Sequence, residues 1–374
     1  MSGVMPDATP SEVDETVVLA AERLFTPDEV YPPLLAVRGD VVIAVGGSAQ
    51  GLGPVQQVDG TLIPAMIDLQ VNGGADVDLQ LPRPSRSRLH QWLKEGGILT
   101  YVPTLISAPL EEMADLAPGL PGELYGVTAL RPHLEGPFIA KQRRGAHAEN
   151  ALKRASWEQV ADLGARVASY VTLAPERPGA EELIRSLRSA GVRISAGHSD
   201  ATIEQAEAAF ESGVSMVTHL FNGMAPLHHR EPGLAGAALM GSHRPWVGII
   251  ADGVHVSPEM VRLAAALLGE RMYVVSDAVS VAGAGAREIR SSSGSLAGST
   301  YRLDDALQNL IQWGVPATEA IRSVTATPAA AIGLEDRGRL LPGSAALVAV
   351  VDATWCVHDS GPARAVGRRS PDQD

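Results

Sequence analysis

Cysteine and basic residues are scarce in this chain of 374 residues. The single cysteine, Cys356, excludes an intramolecular disulfide framework and a cysteine-rich zinc module, so any metal here would need histidine and carboxylate ligands. The chain has 30 Lys and Arg against 43 Asp and Glu, a net charge of −13. Because a surface of this sign repels phosphate backbones and anionic lipids, we expect neither nucleic acid nor a membrane as partner.

Long apolar runs are also missing, since none reaches the roughly 18 apolar residues of a membrane-spanning helix. The first residues are acidic and lack the basic-then-apolar order of a signal peptide, so we expect a cytoplasmic protein. Hydrophobic residues make up 45% of the chain and charged residues 20%, which is typical of a folded globular protein.

From Thr61 onward, short apolar runs alternate with segments whose apolar residues recur every three or four positions, the pattern of parallel strands joined by helices. The strand-like runs are TLIPAMIDLQ, ILTYVPTLI, LYGVTALRPHLE, ASYVTLAPE, VRISAGHS, VSMVTHLFN, WVGIIADGVH and MYVVSDA. The helix-like segments include SRLHQWLKEGG, EELIRSLRSAG, IEQAEAAFESG and SPEMVRLAAALLGE, in which Ser257 is suited to cap the helix and Pro258 to begin it. Eight such runs predict an α/β fold with a closed (β/α)8 barrel of the TIM type.

The two ends of the chain differ from its middle. Short β-rich stretches separated by turn residues occur near both termini, in VVLAAERLF, PLLAVRGDVVIAVGG and AALVAVVDATWCVH. We expect them to pair with each other. The sequence therefore predicts a small β-sandwich domain from residues 1–59 and 342–374, beside a barrel of residues 60–341.

Polar side chains end the predicted strands. In chain order they are Gln70 with Asn72, Thr104, Glu135, Glu176, His198, His219, Asp252 with His255, and Asp277. Reactive residues of parallel barrels lie at the carboxyl ends of the strands, so these side chains should meet on one rim.

Three of these residues, Glu135, His198 and His219, fit a catalytic zinc site with a fourth position left for water or substrate oxygen. Taken singly, a strand-end histidine more often bonds to backbone and a glutamate to arginine, but their convergence on one rim favours the ligand interpretation. Asp277 could transfer a proton or cap a following helix, and its position leaves both open.

Two segments contain the elements of an anion site. Lys141, Arg143, Arg144 and His147 form a local basic stretch beyond Glu135, although a solvated loop explains such a run as well. The stretch NGMAPLHHREPGLAGAAL offers backbone N–H groups, Arg230 and a helix start after a glycine. The GxxxxGK[ST] motif is absent, so triphosphate binding of the P-loop kind is not indicated.

Several stretches together resemble the N-acetylglucosamine-6-phosphate deacetylase family of the amidohydrolase superfamily. In the family's order they are IPAMIDLQVNGG, HLEGPF with GAH behind it, SAGHSDAT, THLFNGM followed by REPGLAG, IADGVH and SDAV. The resemblance runs from about Pro64 to Gly343. The motifs LEGP, AGHS, THLFN and REPGLAG specify this branch, whereas the barrel alone would host many reactions.

The resemblance implies a role for each matching residue. It implies Glu135, His198 and His219 as metal ligands, Asp277 as catalytic acid and base, and His147 as the group that polarises the acetyl carbonyl. The implied substrate-binding residues are Gln70, Asn72, Ala146, Asn222, Gly223, Arg230, His255, Leu296, Ala297 and Gly298. The resemblance also implies that Arg230 acts across a dimer interface, so we expect a homodimer or an oligomer built from dimers.

Two positions depart from the wider pattern. Many amidohydrolases carry an HxH pair after the first strand to hold a second metal, where this chain has Gln70-Val71-Asn72. Amides are poorer transition-metal ligands than imidazole, so we expect one tightly held divalent metal per chain. Zinc is the first candidate, and iron, manganese and cobalt also suit these ligands. Gly223 replaces a common alanine at a backbone contact, which should be tolerated.

The expected reaction is hydrolysis of the acetamide of N-acetylglucosamine 6-phosphate to glucosamine 6-phosphate and acetate, in amino-sugar catabolism or cell-wall recycling. A different amidohydrolase reaction on a phosphorylated or cyclic amide is the nearer alternative, and Arg230 with the basic loop favours a phosphorylated substrate over a cyclic amide. A non-catalytic sugar-phosphate binding protein is the alternative of another class. Loss of Asp277 or of a metal ligand would favour it, and none is lost.

Overall fold

The computed structural model describes residues 15–82, 85–283, 289–290, 294 and 296–367, without the side chains of residues 153 and 154. The strands are β1 Thr16–Leu24, β2 Leu34–Arg38, β3 Val41–Val45, β4 Val55–Pro64, β5 Met66–Val71, β6 Gly73–Gly74, β7 Val77–Asp78, β8 Ile98–Ile106, β9 Gly122–Leu124, β10 Val127–Ala129, β11 His133–Glu135, β12 Tyr170–Leu173, β13 Arg193–Ala196, β14 Met216–Val217, β15 Trp246–Ile249, β16 Met272–Val274, β17 Leu347–Val351 and β18 Val357–Pro362. The α-helices are α1 Ser87–Glu95, α2 Leu110–Leu116, α3 Glu149–Arg154, α4 Trp157–Val167, α5 Ala180–Ser189, α6 Ile203–Ser212, α7 Gly233–Met240, α8 Pro258–Leu268, α9 Leu303–Gln312, α10 Ala317–Val324 and α11 Ala326–Ile332.

A series of parallel strand pairs forms the centre of the mixed α/β fold. Strands β5, β8, β11, β12, β13, β14, β15 and β16 each pair in parallel with the next. A parallel bridge joins Val71, at the end of β5, to Ala278, beyond β16, and the Asp277 N–H donates to the Gln70 carbonyl at 3.0 Å. The first and last members of the series therefore lie side by side.

The chain termini share a second sheet, which confirms that the terminal stretches pair with each other. Its six strands lie in the order β18-β17-β4-β1-β2-β3. Successive residues such as Val18 and Leu19 point to opposite faces, and each belongs to a separate buried cluster. The described strands near the two termini form this one sheet, so the expected sandwich of two sheets is not confirmed, and the division into two domains stays a prediction.

The ends of several predicted strands differ from the observed ones. The run TLIPAMIDLQ divides at Ala65, because β4 pairs with β1 and β17 in the terminal sheet while β5 pairs with β8. The terminal sheet thus extends to Pro64, beyond the predicted boundary at residue 59. The run LYGVTALRPHLE holds the end of β9 and all of β10 and β11, and VSMVTHLFN contributes only the two residues of β14.

Helices α1, α5, α6 and α8 lie in the segments predicted for them. Pro258 begins α8, but the Ser257 side chain makes no capping hydrogen bond, contrary to the sequence expectation. Thr202 instead caps α6, and Ser156 caps α4, each paired with a glutamine three residues later. Across the described residues, no helix combines the length and apolar character needed to cross a membrane.

Candidate functional site

The carboxyl ends of the parallel strands place four of the predicted residues together. Glu135 is the last residue of β11, whereas His198, His219 and Asp277 follow β13, β14 and β16 within three residues. All four side chains are buried. His198, His219 and Asp277 have φ angles of 49°, 29° and 51°, in the left-handed region that non-glycine residues seldom adopt. Such strained backbone clusters at functional sites.

Glu135, His198 and His219 present three potential ligand atoms to one point. Glu135 Oε1 lies 3.2 Å from His198 Nε2 and 2.9 Å from His219 Nε2, and the two nitrogens are 3.1 Å apart. Tetrahedral ligands at the usual bond length of about 2.0–2.1 Å are about 3.3 Å apart, so this triangle fits three ligands of one small ion. Among the described residues, this is the one group of three such side chains suited to hold a metal.

The hydrogen bonds around the ligand atoms also fit a metal centre. His198 Nδ1 lies 2.7 Å from the Arg143 carbonyl oxygen, which only accepts, so Nδ1 carries the proton and the Nε2 lone pair faces Glu135 and His219. Burial would raise the pKa of Glu135, but the two histidines, when they are protonated in the metal-free site, donate hydrogen bonds and positive charge to it and hold that pKa well below its usual range. Glu135 is therefore ionised, as a metal ligand must be.

Two side-chain amides hold the Asp277 carboxylate beside the triangle. Gln70 Nε2 donates to Asp277 Oδ1 at 3.1 Å and to Glu135 Oε1 at 3.1 Å, and Asn72 Nδ2 donates to Asp277 Oδ1 at 2.7 Å. Burial and the Glu135 charge raise the pKa of Asp277 to about 6. The described residues that follow, 278–283, hold a bridge and a turn rather than a helix, so Asp277 is not a helix cap.

His147 approaches the same carboxylate from the loop after β11. Its Nδ1 accepts the Ser107 backbone N–H at 3.1 Å, and its Nε2 lies 3.8 Å from Glu135 Oε2. Burial and the His198 charge lower the pKa of His147 to about 3, so the ring is neutral. Its single ring proton is therefore on Nε2, toward the metal triangle.

His255 is fixed by Asp252, which lies three residues after β15. Asp252 Oδ1 accepts the backbone N–H groups of Val254 and His255 at 2.8 Å each, and its Oδ2 lies 2.7 Å from His255 Nδ1. Burial would raise the pKa of Asp252, but the hydrogen bond and charge of His255 lower it overall. This leaves Nε2 as the free ring atom of His255.

A cavity of about 530 Å³ joins these groups. The predicted site residues that line it are Asn72, Glu135, Ala146, His147, His198, His219, Asn222, Gly223, His255, Asp277, Leu296, Ala297 and Gly298. Gln70 is buried behind Glu135 and Asp277 and does not line it. Arg230 is exposed and lies outside the cavity of its own chain.

Two residues of the predicted rim point elsewhere. Thr104 is completely buried inside β8 and contacts His133 Nδ1 at 3.2 Å, because the strand continues to Ile106. Glu176 binds the turn after His198 instead of facing the cavity.

Sequence reasoning missed other lining residues, among them Asp78, Gln80, Gln142, Phe221 and Ser280, as well as Ser107, which holds His147. Ser107 is the first residue after β8, a strand-end signal that was available in the sequence.

Comparison with known proteins agrees with this geometry. A model of the amidohydrolase family matches residues 61–367. The chain belongs to the amidohydrolase family. It is 34% identical to N-acetylgalactosamine-6-phosphate deacetylase of Escherichia coli O157:H7, over 90% of this chain and 96% of that protein. It is 33% identical to N-acetylglucosamine-6-phosphate deacetylase of Bos taurus, over 78% of this chain and 79% of that protein.

Solved structures of deacetylases named for the same substrate class are similar to the structure of this chain. A mutant N-acetyl-D-glucosamine-6-phosphate deacetylase from Mycobacterium smegmatis, in complex with N-acetyl-D-glucosamine-6-phosphate, matches with a TM-score of 0.85 and 28% identity, over 93% of this chain and 98% of that chain. The deacetylase from Thermotoga maritima matches with a TM-score of 0.83 and 28% identity, over 94% of this chain and all of that chain.

Proposed function

We propose that this amidohydrolase removes the acetyl group of N-acetylglucosamine 6-phosphate and releases glucosamine 6-phosphate and acetate. The observation that carries the proposal is the Glu135, His198 and His219 triangle with Asp277 and His147 beside it in one cavity. Relatives named for this reaction support it over most of the chain. The parallel strand series, with the bridge from Val71 to Ala278, supports a closed (β/α)8 barrel as the scaffold.

Glu135, His198 and His219 would hold one divalent metal, since their three ligand atoms converge and the His198 lone pair faces the centre. When bound, such an ion supplies Lewis acidity and makes water available as hydroxide near neutral pH. Zinc is the first candidate for two imidazoles and a carboxylate, and iron, manganese and cobalt suit the same ligands.

The chain's own residues supply the proton transfers. Asp277, held in place by Gln70 and Asn72, takes a proton from the attacking water as general base and later donates it to the leaving amine. The His147 Nε2–H donates to the acetyl oxygen as negative charge develops there. No proton is gained or lost overall at either side chain.

The remaining lining residues would bind the sugar phosphate. His255, with its Nδ1 occupied by Asp252, presents Nε2 for a substrate hydroxyl or phosphate oxygen, and the 296–298 turn lines the same cavity. Arg230, which is exposed outside the cavity, would reach the phosphate in a partner subunit of a homodimer. Cytoplasmic localisation stays a prediction.

A second substrate has its own support. The Escherichia coli relative, which is 34% identical over 90% of this chain, is named as an N-acetylgalactosamine-6-phosphate deacetylase. The two sugar phosphates share the acetamide and the 6-phosphate and differ at C4 alone, so the same groups serve both. A cyclic amide lacks the phosphate that Arg230 would bind, and a purely binding protein would not need the Asp277 proton acceptor.

Acetate release by metal-quantified protein tests the proposal. We expect turnover of N-acetylglucosamine 6-phosphate, and a side-by-side kcat/KM with the galactosamine epimer identifies the preferred sugar. Asp277→Asn serves as the matched control, because it should keep metal and lose turnover. Zinc-loaded protein that releases no acetate from either sugar phosphate would contradict the proposed function.

A further inference from the structure

An ion pair outside the metal triangle joins the two segments that surround His198. Arg143 Nε lies 2.5 Å from Asp200 Oδ1, and both side chains are about one-third exposed, at 32% and 34%. Arg143 lies in the loop between Glu135 and His147, whereas Asp200 is two residues beyond His198. The ion pair therefore ties the loop to the turn that carries a proposed metal ligand.

The same loop contacts His198 at two further points. The Ala140 N–H donates to the His198 carbonyl at 2.8 Å, and His198 Nδ1 donates to the Arg143 carbonyl at 2.7 Å. The side chain of Arg143 thus binds Asp200 while its carbonyl binds the imidazole. The Arg143 N–H also donates to the Ala140 carbonyl at 3.1 Å, so the ion pair is the side-chain contact among those that hold the Arg143 carbonyl against Nδ1, and breaking it should loosen that position.

Asp200 is itself fixed from the far side. Glu176, just after β12, accepts the Asp200 backbone N–H at 2.6 Å and the Ser199 hydroxyl at 2.7 Å. The Ser199 N–H donates to the Gly223 carbonyl at 3.0 Å. Because Glu176 and the Gly223 carbonyl both hold this turn, the Asp200 carboxylate has a defined position and can orient the loop that carries Arg143.

The imidazole of His198 depends on this arrangement. A neutral ring has one proton, and the Arg143 carbonyl keeps it on Nδ1, so the Nε2 lone pair faces Glu135 Oε1 at 3.2 Å. Without that acceptor, the proton is free to move to Nε2 and bond Glu135 instead. A ring with its proton on Nε2 offers no lone pair there to a metal.

We infer that Asp200 is a positioning residue of the metal centre, which acts through the Arg143 side chain to keep His198 in its metal-binding tautomer. The inference rests on the proposed function for the triangle's role as a metal site. It requires no contact between Asp200 and substrate, since Asp200 does not line the substrate cavity.

Zinc affinity of Asp200→Asn tests the inference. Metal-free protein is titrated with zinc against a chromogenic chelator, and the visible spectrum of the cobalt-loaded protein reports ligand geometry. Loss of a group that hydrogen-bonds a metal-bound histidine typically costs about 10–100-fold in affinity, and because Asp200 acts one contact further out, we expect a loss near the lower end of that range with an altered cobalt spectrum. Asp162→Asn is the matched control, because it breaks the exposed Asp162–Arg166 pair, whose residues do not line the cavity, and should change neither readout.

Variants of the partner residue complete the design. Arg143→Ala should reproduce the zinc-affinity loss, Arg143→Lys should restore part of it, and Arg143→Ala combined with Asp200→Asn should add nothing further, since both act through one contact. Arg143→Ala also replaces Asp200→Asn should the latter fail to fold. The inference is wrong if either variant binds zinc like the wild type, or if Arg143→Ala raises KM alone. A wild type that binds zinc and releases no acetate would contradict the proposed function while leaving this affinity comparison intact.

Discussion

The Ser107 backbone N–H donates to Nδ1 of His147 at 3.1 Å, so the neutral imidazole holds its one proton on Nε2, 3.8 Å from Glu135 Oε2. A backbone donor cannot change roles as a hydroxyl can, which makes this tautomer a property of the fold. The ring is also buried, and its pKa is lowered to about 3, so it stays a neutral donor at physiological pH. That is the form required to stabilise a developing oxyanion without a charge of its own.

His147→Ala should lower kcat by about 10²–10³, the usual cost of removing one oxyanion donor. Zinc content should stay at the wild-type level, since the ring is not one of the three converging ligands. Metal analysis and steady-state acetate release on the same sample separate the two effects. Loss of zinc together with activity would instead make His147 a ligand.

Asp277→Asn should keep the fold, the metal and substrate binding while lowering kcat by at least about 10²-fold. Asparagine still occupies the place beside Gln70 and Asn72 but cannot shuttle a proton. Acetate release gives kcat, and equilibrium binding of N-acetylglucosamine 6-phosphate by calorimetry supplies the control. A variant that retains more than about a tenth of kcat would be incompatible with the acid–base role.

His198→Ala and His219→Ala should lose metal first and activity with it. Each removes one corner of the triangle, where the nitrogen lies 2.9–3.2 Å from Glu135 Oε1. Zinc per chain after gel filtration measures the first effect, and acetate release with excess zinc measures the second. His243→Ala is a suitable control, since His243 pairs with Glu207 on the surface. Full occupancy in either ligand variant would remove that histidine from the metal site.

Much of the rim was predictable because parallel strands end on one edge, so that Glu135, His198, His219 and Asp277 could be picked out by position alone. The exact residue at which each strand ends was harder to predict from the sequence. The run ILTYVPTLI continues to Ile106, so the sequence prediction chose Thr104, which faces the interior, and overlooked Ser107, the first residue after the run, which binds His147.

Long-range pairing explains the remaining differences. The residues before and after Ala65 are equally apolar, and only their partners, β17 on one side and β8 on the other, assign them to different sheets. Glu176 was predicted to end a strand, but β12 ends at Leu173, and the Glu176 carboxylate binds the Ser199 hydroxyl and the Asp200 N–H instead of facing the cavity. The 296–298 turn reaches the site from a distant segment and was identified by resemblance rather than by pattern.

The metal-free protein should lose stability between about pH 4 and pH 7 through Asp68. This carboxyl is completely buried, and burial raises its pKa to about 7, although Oδ1 accepts the Gln70 and Ser276 N–H groups. Oδ2 has no hydrogen-bond partner in the described part of the chain. A raised folded-state pKa contributes stability that is present below the unfolded value and is lost as pH rises through the folded value.

Asp68→Asn should remove that dependence, because asparagine accepts the same two backbone donors and does not ionise. Urea unfolding of metal-free wild type and variant at several pH values measures the difference. We expect the wild type to lose about 4 kcal/mol more than the variant over this range, from the pKa shift at about 1.4 kcal/mol per unit. If the free energy of unfolding depends on pH in the same way in both proteins, Asp68 does not change its protonation over this range and the prediction is wrong.

One metal per chain should saturate activity. Gln70 and Asn72 occupy the positions where many amidohydrolases hold a second ion, and both direct their NH₂ groups at carboxylates: Gln70 at Glu135 and Asp277, Asn72 at Asp277. A donor NH₂ group has no lone pair for a metal, and reversing either amide to present its oxygen would break these bonds and offer a weaker ligand than imidazole.

Titration of metal-free protein with zinc, followed by bound metal and acetate release together, measures this stoichiometry. Acetate release should rise linearly and reach its plateau at one tightly bound ion per chain, because the triangle has three ligands and the amides beside it are already committed to Glu135 and Asp277. Weak binding beyond that ratio should leave the rate unchanged. A plateau reached only at two tightly bound ions would require Glu135 to bridge them and would overturn the single-metal site.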